Sequence, residues 1–599
     1  MKKRILQFLT TYFLFVLLFV LQKPIFMAYY HELYTDASIG DYFSVMWHGL
    51  PLDFSLAGYL TAIPGFLLIA SAWTKSSILR RIRQGYFGII AFVMSCIFII
   101  DLGLYGFWGF RLDATPIFYF FSSPKDAMAS VSFWFILLGI LAMLIYAAIL
   151  YGIFYAVLIR EKAPLKIPYQ RQYVSLVLLL LTAALFIPIR GGFSVSTMNL
   201  SKVYYSQNQR MNHAAINPAF SFMYSATHQN NFDKQYRFMD PKVADELLTE
   251  MLDKPVAVTD SIPQILNTQR PNIIFIILES FSTHLMETMG GQPNVAVNMD
   301  KFGKEGVLFT NFYANSFRTD RGLASIISGY PGQPSTSIMK YPEKTDGLPS
   351  IPRSLKNAGY SLEYYYGGDA DFTNMRSYLV SSGIEKIISE TDFPLSERPG
   401  KWGAPDHTLF QRFLKDLKEE KQQEPFFKIV QTSSSHEPFE VPFYRLDDKV
   451  LNAFAYTDSC VGDFVRQYKE TPMWKNTLIV LVPDHLGAYP RPVENPLEGH
   501  TIPLILIGGA VKEPRVVDTY ASQIDIAATL LSQLGLPHDD FTFSKNIFNP
   551  SSPHFGYFTE PTLFGMVTAV QIDEGTEKGA NLEKGKAFLQ KLYDDLAKR

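Results

Sequence analysis

The stretch NIIFIIL, residues 272–278, with Glu279 directly behind it, decides how this chain is read. Seven residues with no polar alternation describe a strand buried on both faces, as in a parallel sheet covered by helices. Four similar runs follow: SLEYYYG (361–367), FFKIVQT (426–432), NTLIVLVP (476–483) and IPLILIGG (502–509), with amphipathic helical stretches between them. This alternation predicts an α/β domain with a mainly parallel central sheet. Ligands of such sheets bind beyond the carboxyl ends of the strands. Glu279 follows the first strand, SSSHEPF with His436 follows the third, and Asp484 and His485 follow the fourth. Any one of these is ordinarily a satisfied structural group. Their coincidence at one predicted edge makes a mixed oxygen and nitrogen set suited to Zn²⁺ or Mn²⁺, and the lack of cysteine ligands argues against a structural thiolate zinc.

A further ligand is offered by NSFRTDRGLASIISGYP (315–331), where Thr319 opens a short helix over Asp320 to Ser328 that ends at Gly329. A hydroxyl there faces unpaired backbone N–H groups and the positive end of the helix dipole, which stabilise an alkoxide and hold phosphate. On this fragment alone Thr319 is either a nucleophile or simply the N-cap. Arg318 and Arg321 flank it, placed either to grip phosphate oxygens by paired hydrogen bonds or to pair with Asp320 and solvent.

The chain is 599 residues long, beyond the 250 to 300 or so at which single cores stop growing. Its first 190 residues differ from the rest. Five apolar runs, about 5–28, 52–73, 86–108, 131–158 and 173–190, reach the roughly 20 residues a spanning helix needs. Lys2, Lys3, Arg4, then Lys75, Arg80, Arg81, Arg83, then Arg160, Lys162, Lys166 and Arg171 mark alternate segments as cytoplasmic, while Arg111 and Lys125 are the only cations in the segment between helices three and four. With five spans, everything after residue 190 is expected outside the cytoplasm. The first run is long and lacks a small-x-small cleavage site, so it reads as an anchor rather than a removed signal. The expected organisation is a transmembrane domain (1–190), a juxtamembrane linker (191–268) and an exported domain (269–599). Asp53 and Asp101 fall in apolar surroundings near the outer leaflet, either paired or hydrated at the interface or touching a lipid headgroup.

Lys plus Arg number 54 against 56 Asp plus Glu, which argues against a nucleic-acid binder resting on excess positive charge. Cys96, inside a span, and Cys460, in the exported part, have no route to each other, so no disulfide is expected.

NIIFIILES, then SFRTDRGLASIISGYP, GGDADF (367–372), SSSHEPF (433–439), VPDHLGAYP (482–490), GHTIPLILIGG (499–509) and SQIDIAATLL (522–531) together resemble the alkaline-phosphatase/sulfatase superfamily. More narrowly they resemble its membrane-anchored branch of lipoteichoic acid synthases, phosphoglycerol transferases and phosphoethanolamine transferases. The resemblance implies that Glu279, Thr319, Asp484 and His485 bind one divalent metal, Mn²⁺ or Zn²⁺, with Thr319 the nucleophile. It implies that His436 meets the transferred phosphate or assists the leaving group, and that Arg318, Arg321, Asp369 and His500 lie among the substrate-binding residues. Departures narrow it. Thr373 and Met375 stand where lipoteichoic acid synthases tend to carry Trp and Arg, which counts against polyglycerolphosphate synthesis. The C/S-x-P-x-R motif of sulfatases is missing, which counts against sulfate-ester hydrolysis, and phosphoethanolamine transferases usually carry disulfides that this chain cannot form.

The implied activity is transfer of a phospho-headgroup, phosphoglycerol or phosphoethanolamine, from a membrane phospholipid through a phosphothreonine to a glycan or glycolipid, by an integral protein of the bacterial cell membrane. The same residues with water as acceptor make a phosphodiesterase or phosphatase. A non-catalytic binding protein would require loss of a ligand, and a transporter is opposed by short loops and a large outer domain.

Overall fold

The computed structural model describes residues 1–74, 77–114, 132–160, 167–228, 230–419, 422–487, 489, 495–572 and 575–599. Lys75, Lys125, Lys162 and Lys166, used above for orientation, lie outside the described residues. The chain forms two compact units, Met1–Asn230 and Asn231–Arg599.

Among the described residues of the first unit, five helices are long and apolar enough to cross a membrane: α1 (Lys2–Tyr29), α2 (Leu50–Ala70), α3 (Ser77–Trp108), α4 (Phe133–Ile159) and α5 (Arg171–Arg190). They match the five runs. The third begins well before residue 86 because the backbone stays helical through Arg80, Arg81 and Arg83, whose charges end an apolar run without ending a helix. Asp53 and Asp101 are both paired. Lys23 Nζ lies 2.5 Å from Asp53 Oδ2 with both side chains buried, and Asn217 Nδ2 donates to Oδ1 at 2.8 Å. Arg111 meets Asp101 through Nε and Nη2, at 2.9 and 2.8 Å from Oδ2, and its Nη1 donates to the His213 carbonyl at 2.9 Å.

Those contacts draw Gln209–Ala215 and Pro218–Thr227, two helices beyond α5, into the membrane unit. The stretch 191–268, expected as a linker, is therefore shared: its first part folds with the helices, while Ala244, Met251, Ile265 and Leu266 are buried in the core of the second unit. Scattered buried contacts of this kind leave no periodic signal.

The first nine strands of the second unit are β1 (Asn272–Leu278), β2 (Val307–Phe309), β3 (Phe312–Tyr313), β4 (Ser361–Tyr366), β5 (Lys386–Ile388), β6 (Phe426–Gln431), β7 (Thr477–Pro483), β8 (Leu504–Ile507) and β9 (Arg515–Val517), and Gly556–Thr559, Phe564–Ile572 and Gly575–Ala580 form a separate three-stranded sheet. Eight of them form one sheet in the order β5-β4-β6-β1-β7-β8-β2-β9. Pairing is parallel except at β8, which runs antiparallel to both β7 and β2. The strand expected over 502–509 is thus in the sheet but reversed.

β1 explains its own composition. Ile273, Phe275 and Ile277 enter one core with Leu323, Ile326 and Ile327, while Ile274, Ile276 and Leu278 enter a second with Phe454, Val461 and Phe464. Each such side chain contributes about 1.5 to 3 kcal/mol on burial, so a polar residue on either face is excluded. Because β4, β6, β1 and β7 are parallel neighbours, with Tyr366 opposite Gln431 and Leu278 opposite Pro483, their carboxyl ends reach one edge together.

Candidate active site

Glu279, Asp484 and His485 leave the ends of β1 and β7, and their ligand atoms lie within 4.8 Å of one another. His485 Nε2 is 3.6 Å from Glu279 Oε1 and 3.5 Å from Asp484 Oδ2. The loop after β1 is shaped for this. Ser280 has φ +63°, a left-handed conformation costly for a residue with a Cβ, and from it the backbone N–H donates to Asp484 Oδ1 at 2.8 Å while Oγ donates to Glu279 Oε1 at 2.5 Å. The His485 Nδ1–H donates to the Leu486 carbonyl at 2.6 Å, which fixes the tautomer and turns the Nε2 lone pair to the carboxylates.

The donor set fits a divalent cation. Asp484 is fully buried and its Oδ2 has no hydrogen-bond partner among the described residues. An orphaned buried carboxylate oxygen is costly unless a cation satisfies it. Spacings near 3.5 Å also approach the roughly 3.4 Å edge of a tetrahedron with metal–ligand bonds of about 2.1 Å. Burial first, and then the Glu279 carboxylate, push the Asp484 carboxyl up to about 7. Burial would lower His485, but the Asp484 and Glu279 carboxylates outweigh it and hold the imidazole above its usual value.

Thr319 is the first residue of the helix Thr319–Ser328, here α6, and Arg318 occupies the N-cap position with no side-chain cap bond. Thr319 is therefore not the N-cap. Its Oγ1 stands 3.5 Å from Glu279 Oε2 and 3.5 Å from His485 Nε2. α6 reaches this position because Gly322 presses on the Asp484 backbone, and it stops at Gly329, whose φ is +57°.

A cleft of about 390 Å³ opens over Thr319, lined also by Arg318, Phe372, His436, Phe439 and His485. The His436 Nδ1–H donates to the Glu437 carbonyl at 3.1 Å, leaving Nε2 for a ligand, and burial pulls its pKa below the usual value. The two arginines part company. Arg318 is more than half exposed at the cleft, 4.0 Å from Asp320, whereas Arg321 is buried, its Nε donating to the Thr336 carbonyl at 2.5 Å and its guanidinium stacked on Phe317. Asp369 follows β4 at the same edge and accepts the Asp371 N–H at 2.9 Å. His500 is not among the cleft-lining residues. Its Nδ1–H donates to the Pro496 carbonyl at 2.9 Å, its ring stacks on Phe558 at 3.9 Å, and burial lowers its pKa to about 4.

Other groups shape the site without a sequence signal. Buried Asp406 accepts the N–H groups of Ser433 and Ser434 at 2.9 and 3.2 Å and the Thr457 hydroxyl at 2.6 Å, tying down the loop that carries His436. Ser435 Oγ donates to the Glu279 carbonyl at 2.7 Å, joining that loop to the end of β1. Trp402 packs on His436 with ring centroids 4.1 Å apart.

Residues 271–536 match the family model Sulfatase. A lipoteichoic acid synthase-like protein of Bacillus subtilis (strain 168) is 23% identical over 311 residues, 46% of this chain and 50% of that protein. Phosphoglycerol transferase I of Xanthomonas campestris pv. campestris (strain B100) is 24% identical over 320 residues, 49% of this chain and 45% of that one. A crystal structure of an alkaline phosphatase superfamily protein from Vibrio parahaemolyticus aligns at 25% identity with a TM-score of 0.53, covering 61% of this chain and 98% of that one. This chain spans about half the length of the curated relatives it matches.

Proposed function

We propose that this chain, whose residues 271–536 form a sulfatase-family domain, is a membrane-bound phosphotransferase. It moves the phospho-headgroup of a membrane phospholipid, phosphoglycerol or phosphoethanolamine, by way of Thr319 to a hydroxyl of a glycan or glycolipid. The observation that carries this reading is the Thr319 hydroxyl at a helix N-terminus, 3.5 Å from both Glu279 and His485. The names of the relatives support the reaction class.

Glu279, Asp484, His485 and Thr319 are the residues that would hold one divalent cation, Mn²⁺ or Zn²⁺. When bound, such a cation supplies Lewis-acid stabilisation of phosphoryl oxygens and favours the threonine alkoxide. In the first step Thr319 Oγ1 bonds to phosphorus as the bond from phosphorus to the diacylglycerol oxygen breaks, and the threonine proton ends on that oxygen. In the second an acceptor hydroxyl bonds to phosphorus, the bond to Oγ1 breaks and Thr319 recovers a proton. The free N–H groups of α6 and Arg318 face the charge on the phosphoryl oxygens, and His436 Nε2 relays the proton in each direction.

The cationic segments around Lys2, Arg80 and Arg171 favour a cytoplasmic N-terminus, an extracytoplasmic domain after α5 and residence in the bacterial cell membrane. The five spans then tether the catalytic domain to the membrane that contains its lipid donor.

The test is intact-mass and peptide mass spectrometry of the full chain after incubation with phosphatidylglycerol or phosphatidylethanolamine and Mn²⁺ or Zn²⁺, beside Thr319→Ala. The expected result is a headgroup-phosphate increment on Thr319 that the variant lacks. No increment from either lipid, with metal still bound, refutes these donors. Free headgroup phosphate released at an undiminished rate without an acceptor identifies a phosphodiesterase instead.

A further inference from the structure

We infer that the pocket on the far side of His436 is the acceptor subsite and that it takes a neutral saccharide. This deepens the transfer reading above and rests on it. The pocket encloses about 580 Å³, inside the range of about 300 to 1,000 Å³ typical of small-molecule sites. It adjoins the Thr319 cleft through His436 and Phe439, which line both. A ligand held there meets the cleft at the imidazole that faces the reacting phosphate.

The chemistry of the walls selects the occupant. Trp402 is fixed in orientation by its indole N–H, which donates to the Glu437 carbonyl at 2.7 Å, and by the His436 ring against it. A rigid indole matches the apolar C–H face of a pyranose, just as amphipathic aromatic rings serve ligands with one apolar and one wet side. Around it the lining carries Lys401, Lys449, Glu440 and Asp447, two cations and two carboxylates, so its formal charge balances and favours no ion of either sign. Such a rim hydrogen-bonds the hydroxyl edge of a sugar. Lys449 Nζ lies 3.7 Å from Glu440 Oε1 and the Tyr444 hydroxyl donates to Asp447 Oδ1 at 2.8 Å, so an acyl chain laid over these groups would strip them of water without offering a new partner. A sugar hydroxyl presented at His436 forms the new bond to phosphorus as the bond to Thr319 Oγ1 breaks, its proton ending on Oγ1.

The test reads binding without turnover. The full chain in detergent is mixed with maltose, cellobiose or gentiobiose, and separately with a short-chain phosphatidylglycerol, and saturation-transfer NMR is recorded for the wild type, Trp402→Ala and Trp402→Phe. At least one disaccharide is expected to show transfer in the wild type, fall about tenfold or more in Trp402→Ala and persist in Trp402→Phe, with a metal-induced thermal shift confirming that both variants are folded. The inference is overturned by no disaccharide signal in the wild type, by a signal indifferent to Trp402→Ala, or by acyl-chain transfer that depends on Trp402, which would make this the donor site. Since no lipid turnover enters the sugar measurement, unlabelled Thr319 alongside Trp402-dependent sugar binding would reject the transfer chemistry and leave the subsite standing.

Discussion

The carbonyl oxygen of Asp484 occupies the space a side chain on Gly322 would need: a Cβ built there stands 1.9 Å from it. α6 therefore rests directly on the backbone of a residue of the carboxylate–histidine cluster, and this approach sets how far Thr319 stands from Glu279 and His485. Gly322→Ala forces the helix outward. Misplacement by about 1 Å costs on the order of 10²-fold in rate, so headgroup loading of Thr319 falls about a hundredfold while metal binding persists. Loading at the wild-type rate would contradict this.

The metal-free chain should weaken with rising pH because of Asp484. Its carboxyl is pushed from 3.8 up to about 7, chiefly by burial and then by Glu279. The folded state then keeps a proton that the unfolded chain releases, so this group's stabilisation is complete below about pH 4 and is lost as pH rises to about 7. A divalent cation bound here would replace that proton. The rise in melting temperature on adding Mn²⁺ to chelator-treated protein is accordingly larger at pH 7.5 than at pH 5; equal shifts at both would count against the assignment.

Asp406 acts through the His436 loop rather than on substrate. Asp406→Asn replaces an acceptor with an N–H₂ group facing donors. A loss of about 10- to 100-fold in the transfer rate is expected, as for other supporting groups behind ligands. The metal-induced thermal shift stays intact, and a matching loss of that shift would point to general unfolding.

In the membrane unit Lys23→Met leaves the buried Asp53 carboxylate with Asn217 as its remaining side-chain hydrogen-bond partner among the described residues. Removing one member of a buried pair costs about 3 to 5 kcal/mol, whereas replacing both by apolar residues is often neutral. Lys23→Met lowers the melting temperature of the detergent-solubilised chain, and Lys23→Met combined with Asp53→Leu restores most of it. Equal melting temperatures for the wild type and the single variant would show the pair to be dispensable.

What was legible in the sequence shares a physical cause. Spans and central strands announce themselves because one environment surrounds many consecutive residues, as at Ile273–Leu278. The cluster of Glu279, Asp484 and His485 was legible because parallel strands end at one edge. Other features depend on contacts between distant segments. Asn217 reaching Asp53, Asp406 under the SSSHEPF loop and Trp402 on His436 bring together residues tens to more than a hundred positions apart, with no periodicity to mark them. Arg318 and Arg321 look alike in sequence, yet their places on α6 put one at the cleft and bury the other.

β1 and β7 lie inside the sheet, with three strands on the β1 side and three on the β7 side. Local opening in proteins concentrates at margins and loops and reaches central elements last. Fraying of β5 or β9 therefore spends itself before Glu279 or Asp484 loses register, and the amide protons of β1 and β7 should be among the slowest in the domain to exchange with solvent. The cleft can deform while the carboxylates beneath it stay still.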